Sequence, residues 1–328
     1  MISKRIEQLG GVFLLPVAIA ALAFVLIGAP ASWVTLTIAG LSMGMMIFLM
    51  ASGLSLVFGL MDVLNFGHSA FVSFGAFIAA SVLTWSAGWL TSDSIALNVL
   101  ALMLAIMAAI SFGLLAGWFF EVVIIKPVYH DHLRQILITM GALIISEQLI
   151  LAIWGGTPLS VPRPEFLEGA VIWGDVSIEI YRVFAFLVGA VIYAGLYFLF
   201  KRTRIGLLIR AGVENREMVE ALGYRINRLF LGVFVLGSAL AALGGTMWAG
   251  YETLISPALG SEMMIVVFIV VIIGGLGSIE GTLLGALIVG LMGNYVGYLA
   301  PKLALASNML IMMAILMWRP SGLKPAVK

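Results

Sequence analysis

Apolar stretches about as long as a lipid bilayer is thick follow one another along this chain, separated by short polar interruptions. They lie at about 11–28, 33–59, 69–86, 95–120, 136–154, 183–200, 229–250, 263–279, 282–299 and 303–318. Roughly 17–25 apolar residues in helical form cross the hydrocarbon core of a membrane. No water reaches backbone polar groups there, so each crossing segment must satisfy its own, as a helix does. A water-soluble fold has no place for this much apolar surface, since 62% of the 328 residues are hydrophobic and 10% are charged. The sequence predicts an all-α polytopic membrane protein, 1–328 forming one domain of about ten transmembrane helices, some short or discontinuous.

The few charges set the orientation. With the N-terminus inside, Lys4, Arg5, Lys126, Arg134, the seven Lys/Arg of 201–228, Arg319, Lys324 and Lys328 fall on one side, against Arg163, Arg182 and Lys302 on the other. Cytoplasmic loops of membrane proteins are enriched in Lys and Arg, so both termini are expected in the cytoplasm. The same placement makes 155–182 an extracytoplasmic loop, and 250–262 joins it on the outer face. Pro158, Pro162 and Pro164, with Glu165, Glu168, Asp175 and Glu179, make 155–182 too polar to span, and a short strand pair is expected in it. At the start, Lys4–Arg5, an apolar run and Ala29-Pro30-Ala31 resemble a cleaved signal peptide. The run is longer than a signal core, so a retained first helix is expected.

Several chemistries are excluded. The absence of cysteine removes disulfides, thiolate metal sites and cysteine nucleophiles. His68, His130 and His132 leave little for a histidine-based metal site. There is no Gly-Lys pair, so no phosphate-binding loop of the Gly-x-x-x-x-Gly-Lys type exists. The glycine cluster 274–281 lacks the lysine and joins two apolar spans. No paired carboxylates or His/Asp/Glu cluster within the spans suggests catalysis. Neither a cofactor nor a nucleic-acid partner is expected.

The polar residues that do lie among apolar ones are the candidates for a transport pathway. Glu147 sits well inside a span, about 17 Å from its start at roughly 1.5 Å per residue, and Gln148 follows it. A carboxylate at that depth is paired within the bundle or lines a wet cavity, and an ion-coupled carrier would need such a group. Between 53 and 68, Gly53, Gly59 and Gly67, with Asp62, Asn65 and His68, interrupt an otherwise apolar run. This is either irregular backbone presenting amide N–H groups to a substrate carboxylate, or a short cytoplasmic turn capped by Asn65 and His68. The same choice applies to Gly275, Gly277 and Ser278. Gly281, Gly285, Gly293 and Gly297 form a stripe on one helix, and Gly113 and Gly117 a smaller pair, suited to close helix packing.

The loop 201–228 concentrates seven Lys/Arg and three Glu. Lys201, Arg202 and Arg204 read as interfacial anchors. From Arg216 to Leu222, one side of a short helix carries Met218, Val219, Ala221 and Leu222 and the other Arg216, Glu217 and Glu220, with Gly223 as a stop. Such a helix suits a groove on a soluble protein or the lipid surface.

Together these segments resemble the permease subunits of bacterial ABC importers for branched-chain amino acids, in particular the shorter of the two permease types. The residues that carry the resemblance begin with GLSLVFGLMDVLNFGHSAFVSFGAF at 53–77 and Lys126-Pro127 through Thr139, Gly141, Trp154-Gly155 and Val161-Pro162. They continue with RAGVENREMVEALGY at 210–224, IGGLGSIEGTLLGALIVG at 273–290 and Arg319-Pro320-Ser321-Gly322-Leu323, so that about 40–323 is covered. The family's ATPase-coupling signature, Glu followed six positions later by Gly, falls on Glu217 and Gly223; Met218 and Val219 stand where the general pattern has alanines. The resemblance implies coupling through Arg216, Glu217, Met218, Glu220, Leu222 and Gly223. It adds weight to a pathway role for Asn65, His68, Gly275, Gly277 and Ser278, beside Glu147 and Gln148. It further implies two ATP-binding subunits, a second and non-identical permease, an extracytoplasmic solute-binding protein and a bacterial inner-membrane location, the chain itself being no enzyme. Members of this family that carry urea or short amides are not separated from amino-acid importers by apolar spans.

Overall fold

The computed structural model describes residues 14–129 and 131–325, apart from the side chains of Arg216 and Leu305. Lys4, Arg5, His130, Lys328 and the N-terminal leader question lie outside the described residues. Helices occupy all ten apolar stretches: α1 Leu15–Ile27, α2 Pro30–Met61, α3 His68–Trp85, α4 Ile95–Phe120, α5 His132–Trp154, α6 Ile180–Arg202, α9 Ile226–Glu252, α10 Leu259–Gly274, α11 Ile279–Leu299 and α12 Ala304–Trp318. Two short helices, α7 Arg204–Glu214 and α8 Arg216–Ala221, fill the basic loop. Seven of these helices are long and apolar enough to cross a membrane, among them α4 with its continuation to Val128. The helices α1, α10 and α12, of 13, 16 and 15 residues, are shorter.

The core is α2. It is apolar all round, as a helix surrounded by other helices must be, and 83% of its most apolar window is buried. Small residues bring its neighbours in. Gly290 of α11 lies against Gly40 and Gly44, Gly237 of α9 against Gly53, and Gly189 of α6 against Met45. Backbones this close gain dispersion contacts that lipid cannot supply. On the far side of α9, Gly75 of α3 meets Ala242, and the Thr246 hydroxyl donates to the Gly75 carbonyl at 3.1 Å. Gly113 and Gly117 of α4 sit on Ser238 and Ala239 of α9, as the sequence pairing predicts. The longer stripe divides: Gly281 and Gly285 pack against α10, whereas Gly297 meets nothing within 4 Å.

Two expectations need correction. The helix α2 runs unbroken through Gly53 and Gly59 to Met61, because these glycines admit neighbouring backbone without ending the helix. The chain turns only at Asp62 (φ 54°), and α3 begins at His68 with Gly67 as its cap residue and no side-chain cap bond. The eighth apolar stretch ends as a helix at Gly274, five residues early, since Gly275 (φ 95°) and Gly277 (φ 75°) adopt left-handed conformations.

The two ends of the bundle differ. At one, the loop after α5 pairs β2 Ala170–Trp173 with β3 Val176–Glu179 as an antiparallel hairpin, while β1 Leu159–Ser160 pairs with β4 Leu254–Ile255 after α9. Arg163 is fixed there, donating to the carbonyls of Gly250 and Tyr251, 3.5 Å from Glu179 and 4.9 Å over the Tyr181 ring. The opposite, basic end gathers α7, α8, the 62–67 and 275–278 turns and the tail 319–325.

Candidate functional site

At the basic end, α7 is opened by the Thr203 hydroxyl, which accepts from Gly206 N–H at 3.4 Å. Gly206 lies against the Phe200 backbone and Gly212 against Ile226, so α7 is held tightly to the ends of α6 and α9. Asn215 then stops α7 and opens α8, its side chain accepting from Met218 N–H at 2.9 Å. The short helix expected from Arg216 to Leu222 is α8, and a second helix, α7, which the sequence reading did not anticipate, precedes it across an asparagine corner. Gly223, at φ 85°, ends α8, and its N–H reaches the Glu220 carbonyl at 2.9 Å. Val219 is buried, whereas Glu217, Met218, Glu220 and Leu222 are exposed, Met218 by 61% and Leu222 by 70%. Arg216 is the first residue of α8. Ala211, Glu214, Asn215, Met218, Val219 and Leu222 line a groove of about 420 Å³. The two-faced pattern of the sequence is therefore real in part: of its four apolar residues Val219 holds α8 to the body, and Met218, Ala221 and Leu222 are exposed.

The second candidate place is α5. Only 11% of its most apolar window is buried. It is tied at its two ends. At the basic end, Gln135 Oε1 accepts from Leu64 N–H (3.2 Å) and Thr139 Oγ1 from Phe66 N–H (3.1 Å). At the hairpin end, Trp154 Nε1 donates to Ser81 Oγ (2.8 Å). Between these ties Glu147 is half-buried, with Oε1 buried and without a hydrogen-bond partner among the described residues, and Gln148 is exposed. Gln148 lies about 24 Å along the helix from His132, at roughly 1.5 Å per residue. A primary amide at hydrocarbon depth needs a polar neighbour or water.

Asn65 and His68 are in neither place. Both are 1% exposed, inside the bundle between α2, α3 and α4. His68 Nε2 lies 2.9 Å from the Met50 carbonyl and so carries the proton, while Nδ1 and both polar atoms of the Asn65 side chain have no partner among the described residues.

Gly275, Gly277 and Ser278 form the α10–α11 turn. The Ser278 hydroxyl caps α11, accepting from Gly281 N–H at 3.1 Å. Gly277 rests on Gly59 of α2, where a Cβ on Gly59 would overlap its backbone. Thr282 Oγ1 donates to Ser55 Oγ at 2.9 Å. Just after this turn, in the first turn of α11, lies a residue that sequence reasoning gave no role. Glu280 is 8% exposed and pairs with both Lys201 at the end of α6 and Lys324 in the tail. Lys201 is therefore a partner of Glu280 and not simply an interfacial anchor. Burial, and then the adjacent Lys201 ammonium, hold Lys324 below the usual lysine range. Among the described residues no hydrogen bond or ion pair joins Asn65 and His68, Glu147 and Gln148, and the 275–278 turn to one another.

This arrangement of exposed helix pair, loosely held apolar helix bearing Glu147 and Gln148, and glycine-packed core can be compared with known proteins. The family model for the branched-chain amino acid transport system permease component matches residues 36–318. The chain belongs to that permease family. Among its relatives, the permease protein BraD of Pseudomonas aeruginosa, named for high-affinity branched-chain amino acid transport, is 28% identical over 293 residues, 87% of this chain and 93% of BraD. LivH of Escherichia coli K12, likewise named for high-affinity branched-chain amino acid transport, is 25% identical over 296 residues, 87% of this chain and 92% of LivH. In fold, this permease resembles a chain of a metal-chelate type ABC transporter solved in an inward-facing conformation. That match covers 95% of this permease and 99% of the other chain, at 16% identity and a TM-score of 0.50. The likeness shows the fold of an ABC transporter permease. This permease is thus a multi-pass membrane protein with seven candidate spans.

Proposed function

We propose that this permease forms half of the transmembrane pathway of an ABC importer for branched-chain amino acids in a bacterial inner membrane, with the basic end in the cytoplasm and ten crossings. Two ATP-binding subunits supply the work, a second, non-identical permease completes the pathway, and an extracytoplasmic binding protein delivers the substrate to the hairpin end. The single observation that carries this reading is α5. It is the least buried of the seven long helices, yet it bears Glu147 and Gln148 at membrane depth. Lipid does not tolerate that pair, so another subunit or a water-filled passage covers it. The weakly polar, largely apolar face of Ile144, Ile145, Gln148 and Leu149 suits an apolar amino-acid side chain passing without tight retention.

The helix pair α7–α8 is the coupling element. Glu217, Met218, Glu220 and Leu222 project from the body and offer both charge and apolar surface to a groove on the ATP-binding subunit. Gly223 and Arg216 delimit α8. Asn65, His68, Gly275, Gly277 and Ser278 serve the pathway indirectly, by shaping the two turns that close the bundle at its cytoplasmic end.

The test is leucine uptake by the complete assembly in liposomes with internal ATP. The double substitution Glu217→Lys, Glu220→Lys is expected to lower uptake at least tenfold while leaving membrane insertion intact. Full uptake by that variant overturns the coupling assignment. Leucine accumulation by the purified permease alone, driven by an ion gradient and dependent on Glu147, overturns the importer reading in favour of an ion-coupled carrier.

A further inference from the structure

Three segments distant in sequence converge on the Glu280 carboxylate. It stands in the first turn of α11, where the helix dipole favours an anion. Nearly buried, it would be costly if it were not paired with cations. Lys201 comes from the last turn of α6, and Lys324 from the tail. That tail is no loose end. Leu323, 1% exposed, donates its N–H to the Ile273 carbonyl at 2.8 Å, and Lys324 N–H reaches the Gly274 carbonyl at 3.0 Å. These bonds satisfy two carbonyls at the end of α10 that the helix leaves open. Arg319 Nη1 closes the tail on itself through the Leu323 carbonyl at 3.2 Å.

The position of Lys201 gives this cluster a direction. Only Arg202 and Thr203 separate it from α7, and Gly206 presses on the Phe200 backbone without an intervening side chain. Displacement of α7–α8 therefore carries Lys201 with it. On the other side of Glu280, the α10–α11 turn meets the central helix α2 through Gly277 on Gly59 and Thr282 on Ser55. We infer that Glu280 is a positioning residue for transport, transmitting movement of the ATPase-docking helices through Lys201 to the α10–α11 turn and α2, with Lys324 and the tail holding the carboxylate in register. This inference rests on the importer reading above.

The test is the ratio of leucine imported to ATP hydrolysed by the complete assembly in liposomes. Glu280→Gln keeps the shape and removes the charge. It is expected to hydrolyse ATP within twofold of the parent while importing at least tenfold less leucine per ATP. The exchanged pair Lys201→Glu, Glu280→Lys retains one acid facing two bases and is expected to recover much of the lost ratio. Lys201→Met should lower the ratio as Glu280→Gln does. A ratio unchanged in Glu280→Gln, or uptake and hydrolysis lowered in equal proportion, overturns the role of Glu280. Should Glu280→Gln fail to assemble, Glu280→Asp is read by the same ratio, with a drop of two- to fivefold expected and an unchanged ratio overturning the role. A parent assembly that shows no ATP-dependent uptake overturns the importer reading itself, and this role with it.

Discussion

The Trp154 indole N–H donates to the Ser81 hydroxyl 2.8 Å away, binding the hairpin end of α5 to α3. At the other end Gln135 and Thr139 receive the backbone N–H groups of Leu64 and Phe66. A helix with so little buried surface is positioned chiefly by these bonds. Ser81→Ala should therefore cost about 1 kcal/mol, and Thr139→Val about 1–3 kcal/mol, because the latter strands a backbone donor. Melting of the detergent-solubilised permease measures both, and equal melting temperatures for parent and Thr139→Val would contradict the assignment.

The chain has no cysteine, so single cysteines report cleanly on exposure. Gln148→Cys is expected to react with a water-soluble maleimide in the assembled importer, and leucine to slow the reaction. Phe198→Cys, on the exposed apolar face of α6, is expected to stay unreactive. Equal protection at both positions would remove Gln148 from the pathway.

Two glycines separate conformational from packing constraint. Gly223 has φ 85° and open space around it, so Gly223→Ala pays only backbone strain, roughly 1–2 kcal/mol, confined to α8. Gly59 has ordinary helical geometry but touches Gly277. Gly59→Ala must push the α10–α11 turn off α2 and is expected to lower both melting temperature and expression well beyond Gly223→Ala. Hydrogen exchange should rise near 275–281 in the first variant of α2 and near 216–222 in that of α8.

Arg163 is the hub of the hairpin end. Its side chain is 14% exposed and holds two carbonyls at the end of α9, Glu179 and the Tyr181 ring. Arg163→Met retains the apolar stem but leaves the two carbonyls without their donor, while Glu179 keeps Arg182 at 2.8 Å. A loss of about 2–4 kcal/mol is expected in thermal or denaturant unfolding. A change below about 0.5 kcal/mol would show that water replaces the guanidinium.

Much of this fold was legible because lipid reduces the choices. Spans, their order and the glycine pair Gly113–Gly117 follow from apolar length and spacing. The loop 201–228 stood out because charge is scarce everywhere else. What was not legible depended on contacts between residues far apart in sequence. Gly53 and Gly59 read as breaks, whereas they are places where α9 and the α10–α11 turn come close. Asn65 and His68 read as caps or pathway groups, and only the packing of α2, α3 and α4 shows them enclosed. Glu280 was visible in the glycine-rich segment, and Lys324 beyond the final span, but nothing local links them. A carboxylate beside an apolar, glycine-rich turn was the available signal. The boundary at Asn215, where the unanticipated α7 stops and α8 starts, could have been read from its side chain, which competes with the helix backbone and opens a new turn.

Where Gly277 lies on Gly59, main chain meets main chain and no rotamer stands between them. Such a joint cannot absorb a small displacement by reshuffling side chains. The turn must travel with α2 or lift away from it, so this joint at the basic end of the bundle either holds or parts.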